Sequence, residues 1–215
     1  PPARPRLVLA PDGTGAVRRL GFSTEVDPLV QPHYEWRPPE QGWTEKDLLS
    51  LPADGHRYEI IDGSLHAAPP ADFTHHELAD EIRAALRSQL PASWRVIREI
   101  GVRIPAGNAI PDLTVLRPTA PSDAMWAEPA DVLLVVEVES PSSRRHDRFT
   151  KLGLYAEAEI DWYWRIERAK SGPVAHLYQL AEAGHYELRH SVPAGAVETA
   201  QLPFPVRVAP ADWSA

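Results

Sequence analysis

Two acidic strand signals with a lysine behind them are the residues of this chain best suited to chemistry. The first is Ile110-Pro111-Asp112-Leu113, and the second is Leu133-Leu134-Val135-Val136-Glu137-Val138-Glu139. Arg144, Arg145, Arg148 and Lys151 follow and open an apparent helix. Carboxylates on neighbouring strands hold hard divalent cations, and a cation held there activates water and steadies charge on a phosphate. A nearby lysine orients the water or neutralises developing charge. This is the equipment of a metal-dependent phosphodiesterase.

Each of these residues also has a plainer reading. Asp112 follows a proline at the start of a strand, where a turn residue satisfies local backbone donors. Glu137 puts a charge into an apolar run, so it must be ion-paired, protonated or metal-bound. Glu139 shares the facing of Glu137 by strand alternation and is either a third ligand or an edge residue. Lys151 can be a solvated helix lysine. The basic cluster Arg144-Arg145-His146-Asp147-Arg148 can meet phosphates or neutralise nearby carboxylates. Trp162-Tyr163-Trp164 reads first as strand packing and second as a stacking surface for bases.

The elements that must position these groups follow from pattern. Thr44 caps a short helix over 45–51, with Asp47 as its capping-box partner. Residues 58–61 and 65–68 read as a hairpin through Asp62-Gly63. Thr74 caps a helix over 75–90, with Leu78, Ile82, Leu86 and Leu90 on one face. Strands are expected at 94–98, 102–104, 113–116, 132–139, 162–166, 175–180 and 186–190, with a short one at 206–208. The 132–139 run is nearly all apolar, as a strand buried on both faces should be. A helix over 148–157 sits between strands. Helix, strands, helix, strands is the order of an α/β or α+β fold around a mixed sheet. Three segments follow: a proline-rich arm over 1–42, a globular domain over 43–192 and a C-terminal extension over 193–215.

Composition narrows the function classes. The chain has no cysteine, which excludes disulfides, thiolate metal sites and a cysteine nucleophile and agrees with a cytoplasmic setting. No apolar run approaches the roughly 18 residues of a membrane span, and the opening Pro1-Pro2-Ala3-Arg4-Pro5 has no apolar signal region and reads as a trimmed start. The 22 basic and 30 acidic residues give a net charge of −8, which counts against tight nonspecific DNA binding but leaves room for a local basic face. Asp12-Gly13-Thr14-Gly15 lacks the Gly-Lys-Ser/Thr of a phosphate loop, and His76-Glu77-Leu78-Ala79-Asp80 has an aspartate where a zinc protease needs its second histidine. No Gly-x-Ser-x-Gly occurs.

Several pieces together resemble a known family. They are Asp54-Gly55-His56-Arg57-Tyr58-Glu59-Ile60-Ile61-Asp62-Gly63, His75 opening a helix, Pro111-Asp112-Leu113 and Val136-Glu137-Val138-Glu139-Ser140-Pro141-Ser142. Arg145, Asp147-Arg148, Lys151, Tyr155-Ala156-Glu157-Ala158 and Asp161-Trp162-Tyr163-Trp164 complete the set. Over residues 43–190 the chain resembles the Uma-two (Uma2) family of restriction-endonuclease-like proteins in the PD-(D/E)xK superfamily.

The resemblance implies a restriction-endonuclease-like core, a Mg²⁺ or Mn²⁺ site, a nucleic-acid substrate, DNA before RNA, and a homodimer. Asp112 matches the PD aspartate and Glu137 the second acid, with the Val138 carbonyl completing the metal shell. Glu139 stands in the lysine slot of the E-x-K pattern, and the resemblance moves that lysine to Lys151. Glu59 matches an acid near the start of the core, a further metal or water contact, and His75 matches a helix-start histidine. Arg145 and Arg148 are expected at phosphate oxygens or at the helix start. The expected reaction is endonucleolytic phosphodiester hydrolysis. The alternative is a nuclease-fold protein that binds nucleic acid or assembles with little turnover.

Overall fold

A computed structural model describes residues 39–105, 107–140 and 146–213. The strand run with Glu137 forms β8 (Val132–Val138), and every one of its residues is buried. It lies inside a six-stranded mixed sheet with β3 (Arg95–Arg98), β6 (Leu113–Leu116), β9 (Trp162–Ala169), β10 (Gly172–Leu180) and β11 (Tyr186–Val192), in the order β11-β10-β9-β8-β6-β3. β8 runs antiparallel to β6 and parallel to β9. A parallel neighbour needs a crossover, and α3 (Lys151–Glu157) supplies it after one π-type turn at His146–Thr150.

Both faces of this sheet are covered, which is why β8 is apolar without alternation. One face packs on α2 (Phe73–Gln89): Leu78, Ile82 and Leu86 meet Leu134, Val136 and Trp164. The other face packs on α3 and a second sheet, joining Val135, Tyr163 and Tyr155 to Ile61, Val102 and Ala109. That second sheet has the order β2-β1-β5-β4-β7, from β1 (Arg57–Ile61), β2 (Ser64–Ala68), β4 (Gly101–Ile104), β5 (Gly107–Ala109) and β7 (Trp126–Ala127). A ribbon of β12 (Glu198–Gln201) and β13 (Pro205–Val208) adds Ala200, Val206 and Val208 to the α2 core, with Trp213 beside them. Residues 193–213 therefore share the core of the domain. The arm before residue 39 lies outside the described residues.

Local chemistry accounts for the element boundaries. The β1–β2 hairpin turns at Asp62 (φ 49°) and Gly63 (φ 69°), the pair of positive φ angles that a two-residue type I′ turn requires. Thr44 and Asp47 form the expected capping box on α1 (Glu45–Leu48), which ends earlier than its pattern suggested. The cap of α2 differs from expectation. Asp72, not Thr74, is the N-cap, and its Oδ1 accepts the His75 N–H at 2.8 Å. Arg168 from β9 holds the other carboxylate oxygen of Asp72 at 2.9 Å, so the start of α2 is pinned to the sheet. The short strands β5 and β7 and the ribbon strand β12 carry too few residues to show a period, and neighbours build them.

Ile82 is fully buried between α2 and the sheet. Ile82→Ala should lower the unfolding free energy by about 2–5 kcal/mol. Urea denaturation with an unchanged m-value checks this, and a loss below about 1 kcal/mol would contradict the packing described.

Candidate active site

Antiparallel register brings the two sequence-predicted acids together. Leu113 on β6 pairs with Val136 on β8. One step further along that ladder sets Asp112 across from Glu137, and paired residues share a face. The Val138 N–H then donates to Asp112 Oδ2 at 2.8 Å. In a strand, a residue's N–H and C=O point to the same side, so the Val138 carbonyl also faces Asp112. Both acids line a cleft of about 530 Å³ that opens among β1, β2, the start of α2, β8 and α3.

Each acid has a cation of the chain against it. Glu137 is 2% exposed, and its Oε1 accepts from Lys151 Nζ at 3.0 Å and from the Tyr155 hydroxyl at 2.8 Å. Lys151 and Tyr155 are four residues apart on α3, so one helix face presents both. Lys151 Nζ also lies 3.2 Å from Glu59 Oε1. That same Glu59 oxygen accepts the Ile110 N–H at 2.7 Å, so Glu59 clips the segment leading to Asp112 onto β1. Asp112 Oδ1 meets Arg57 Nη1 at 2.6 Å and His75 Nε2 at 3.1 Å. The His75 ring is not aligned for a hydrogen bond across that distance, and neither of its nitrogens has a hydrogen-bond partner although the residue is 2% exposed.

The electrostatics follow from these contacts. Burial pushes the Asp112 carboxyl up, but the neighbouring His75 and Arg57 outweigh it and hold the acid below the usual carboxylate range. Burial, then the charge of Glu137, push the Tyr155 hydroxyl well above its ordinary value, so it remains a protonated donor. Glu139 is also buried, and it is paired. Arg148 grips it through Nε at 2.6 Å and Nη2 at 2.9 Å, and Arg165 bonds it from β9. Burial raises the Glu139 carboxyl, and the two guanidinium groups more than reverse the effect.

The predicted residues thus divide. Asp112, Glu137, Val138, Lys151, Glu59 and His75 line the one cleft. Glu139 has the expected facing but is held in an ion pair beside that cleft. Arg148 lies on Glu139 and Glu167, the latter at 3.2 Å, which anchors the turn before Lys151. Arg145 lies outside the described residues. Sequence reasoning gave no role to Arg57 or Tyr155. Both had a signal: Arg57 is two positions from Glu59 on a strand, and Tyr155 is four from Lys151 on a helix.

The donor chemistry fits a hard divalent cation. Asp112, Glu137 and the Val138 carbonyl offer oxygen, as Mg²⁺ and Mn²⁺ prefer, and the orphaned His75 nitrogen stands beside Asp112 Oδ1. Among the described residues, no three His, Asp or Glu side chains converge as a ready-made cation cage, and Arg57 and Lys151 bond the two acids.

The profile of the Uma2 family, described as "Putative restriction endonuclease", matches residues 45–211. The chain belongs to the Uma2 family. The crystal structure of a protein from Anabaena variabilis ATCC 29413, described as "a putative nuclease belonging to DUF820", has the same fold, with a TM-score of 0.58 over 74% of this chain and 89% of that one. The two are 15% identical, so the likeness is one of fold. No curated protein matches the chain. The α+β, restriction-endonuclease-like fold expected of a Uma2 protein is thus present. Among the described residues, no helix is long and apolar enough to cross a membrane.

Lys151→Met should destabilise this Uma2 protein by about 3–5 kcal/mol, because it removes the ammonium that two buried carboxylates share. Glu137→Gln in the Lys151→Met background should recover part of that loss, with a coupling of about 1 kcal/mol or more in a double-mutant cycle. Strictly additive losses would show that the two side chains do not interact.

Proposed function

We propose that this protein is a metal-dependent nuclease that hydrolyses phosphodiester bonds, with DNA as substrate. The observation that carries this is the cleft in which Asp112, Glu137 and Lys151 meet, the acids across one register step and the ammonium 3.0 Å from Glu137. Asp112, Glu137 and the Val138 carbonyl would hold Mg²⁺ or Mn²⁺, with His75 and Glu59 at its margin. When bound, the cation supplies Lewis-acid polarisation of the phosphate and acidification of water.

The chain's own groups do the rest. The Val138 N–H and the Tyr155 hydroxyl fix one oxygen each of Asp112 and Glu137, so the acids are oriented before substrate arrives. Lys151 would donate to the attacking water or to a non-bridging phosphate oxygen. The water's oxygen forms the new bond to phosphorus as the P–O bond to the sugar breaks in line with it; the water gives up one proton to solvent and the departing sugar oxygen takes one up. Glu59 lies against Lys151 and holds the strand start that carries Asp112. A homodimer and a cytoplasmic setting belong to the same proposal.

The test is cleavage of plasmid DNA in Mg²⁺. Asp112→Ala, Glu137→Ala and Lys151→Ala should each lower the rate by about 100-fold or more. Robust cleavage by all three variants would overturn the assignment. DNA binding without cleavage by the wild-type protein would make it a nuclease-fold binding protein.

A further inference from the structure

Arg57 stands at an Asp112 oxygen that a cation would share. Asp112 has two carboxylate oxygens, and Oδ2 is held by the Val138 N–H. Oδ1 meets the Arg57 guanidinium at 2.6 Å. The Asp112 side chain is 3% exposed, so charges meeting at Oδ1 are poorly screened. A divalent cation at Oδ1 would stand beside the guanidinium, and the two positive groups exclude one another. Arg57 also lies within the field of Glu137 and of Glu99, the latter 3.9 Å away.

The Arg57 side chain is the movable member of this set. It is 25% exposed and lines the cleft. It sits at the first position of β1, where its backbone pairs with Ala68 of β2 while pairing with β5 is confined to Ile60, so any motion belongs to the side chain alone. A guanidinium has five N–H donors in a planar fork and suits a phosphate oxygen pair better than any other side chain. Lys151, by contrast, is 9% exposed and bridged between Glu59 and Glu137.

We propose that Arg57 is the resident counter-ion of the acid pair and releases Asp112 to a divalent cation when a phosphodiester takes the guanidinium. Substrate and cation then load cooperatively. By linkage, whatever factor the phosphodiester adds to cation affinity the cation adds to phosphodiester affinity. The free protein holds the cation weakly and cuts only when nucleic acid is in place. This rests on the nuclease function proposed above.

The experiment is titration of the nucleic-acid-free protein with Mn²⁺ alone, with free Mn²⁺ read by electron paramagnetic resonance. Arg57→Met should bind Mn²⁺ about tenfold more tightly than wild type. Arg57→Lys keeps the positive charge and should bind as weakly as wild type, and far-ultraviolet circular dichroism confirms that both variants are folded. Asp112→Asn added to Arg57→Met should abolish the gain. In metal-free buffer, Arg57→Met should also bind a DNA duplex more weakly than wild type. If Arg57→Met binds Mn²⁺ no more tightly than wild type, while Asp112→Asn removes binding from both, the counter-ion role is overturned and the nuclease site stands. If neither protein shows Mn²⁺ binding that Asp112→Asn removes, both fall together.

Discussion

A charged carboxylate lies inside a strand that is otherwise entirely apolar and covered on both faces, and the architecture around it satisfies that charge. Glu137 on β8 has Leu134, Val136 and α2 on one side of its sheet and α3 on the other. A buried, unpaired carboxylate is strongly destabilising. Lys151 and Tyr155 supply an ammonium and a hydroxyl from one face of α3. That pairing fixes where α3 docks, and α3 is the crossover that lets β9 lie parallel to β8. Tyr155 then packs on Tyr163 of β9, so the partner of the charge is itself part of the core.

The same logic repeats across the ends of the central strands. Asp112 is matched by Arg57, Glu137 by Lys151, and Glu139 by Arg148 and Arg165. The pairs differ in exposure and therefore in freedom. The Glu139 cluster is tied by a two-point Arg148 grip and anchors the turn three residues before Lys151. The acid in the slot where the E-x-K pattern has lysine thus helps to hold the helix that carries the lysine. Arg57 is the most open of the matched cations except Arg148, and it faces the cleft.

Much of this was legible in the chain. The acidic residue interrupting Leu133-Leu134-Val135-Val136 announced a buried charge needing a partner, and the four-residue spacing from Leu78 to Leu86 announced the covering helix. Asp62-Gly63 announced its hairpin through the positive φ angles that such a turn demands. Boundaries were less legible. Thr74 and Asp72 are both good caps, and Arg168, distant in sequence, holds the one that is used. The strand expected at 206–208 is β13, but its partner β12 shows no period in the sequence, because the apolar residues there are few and find their core only against α2 and Trp213.

The sequence by itself determined that a carboxylate would be buried on a central strand, that a lysine would follow on a helix, and that the elements would alternate as an α+β domain. These are local facts of residue type and period, and they survive without knowledge of neighbours. Only the tertiary structure decided which cation meets which acid. Arg57 and Asp112 are 55 residues apart and Arg165 and Glu139 are 26 apart. Such pairings depend on strand order and register, and a one-step slip between β6 and β8 would turn Asp112 away from Glu137.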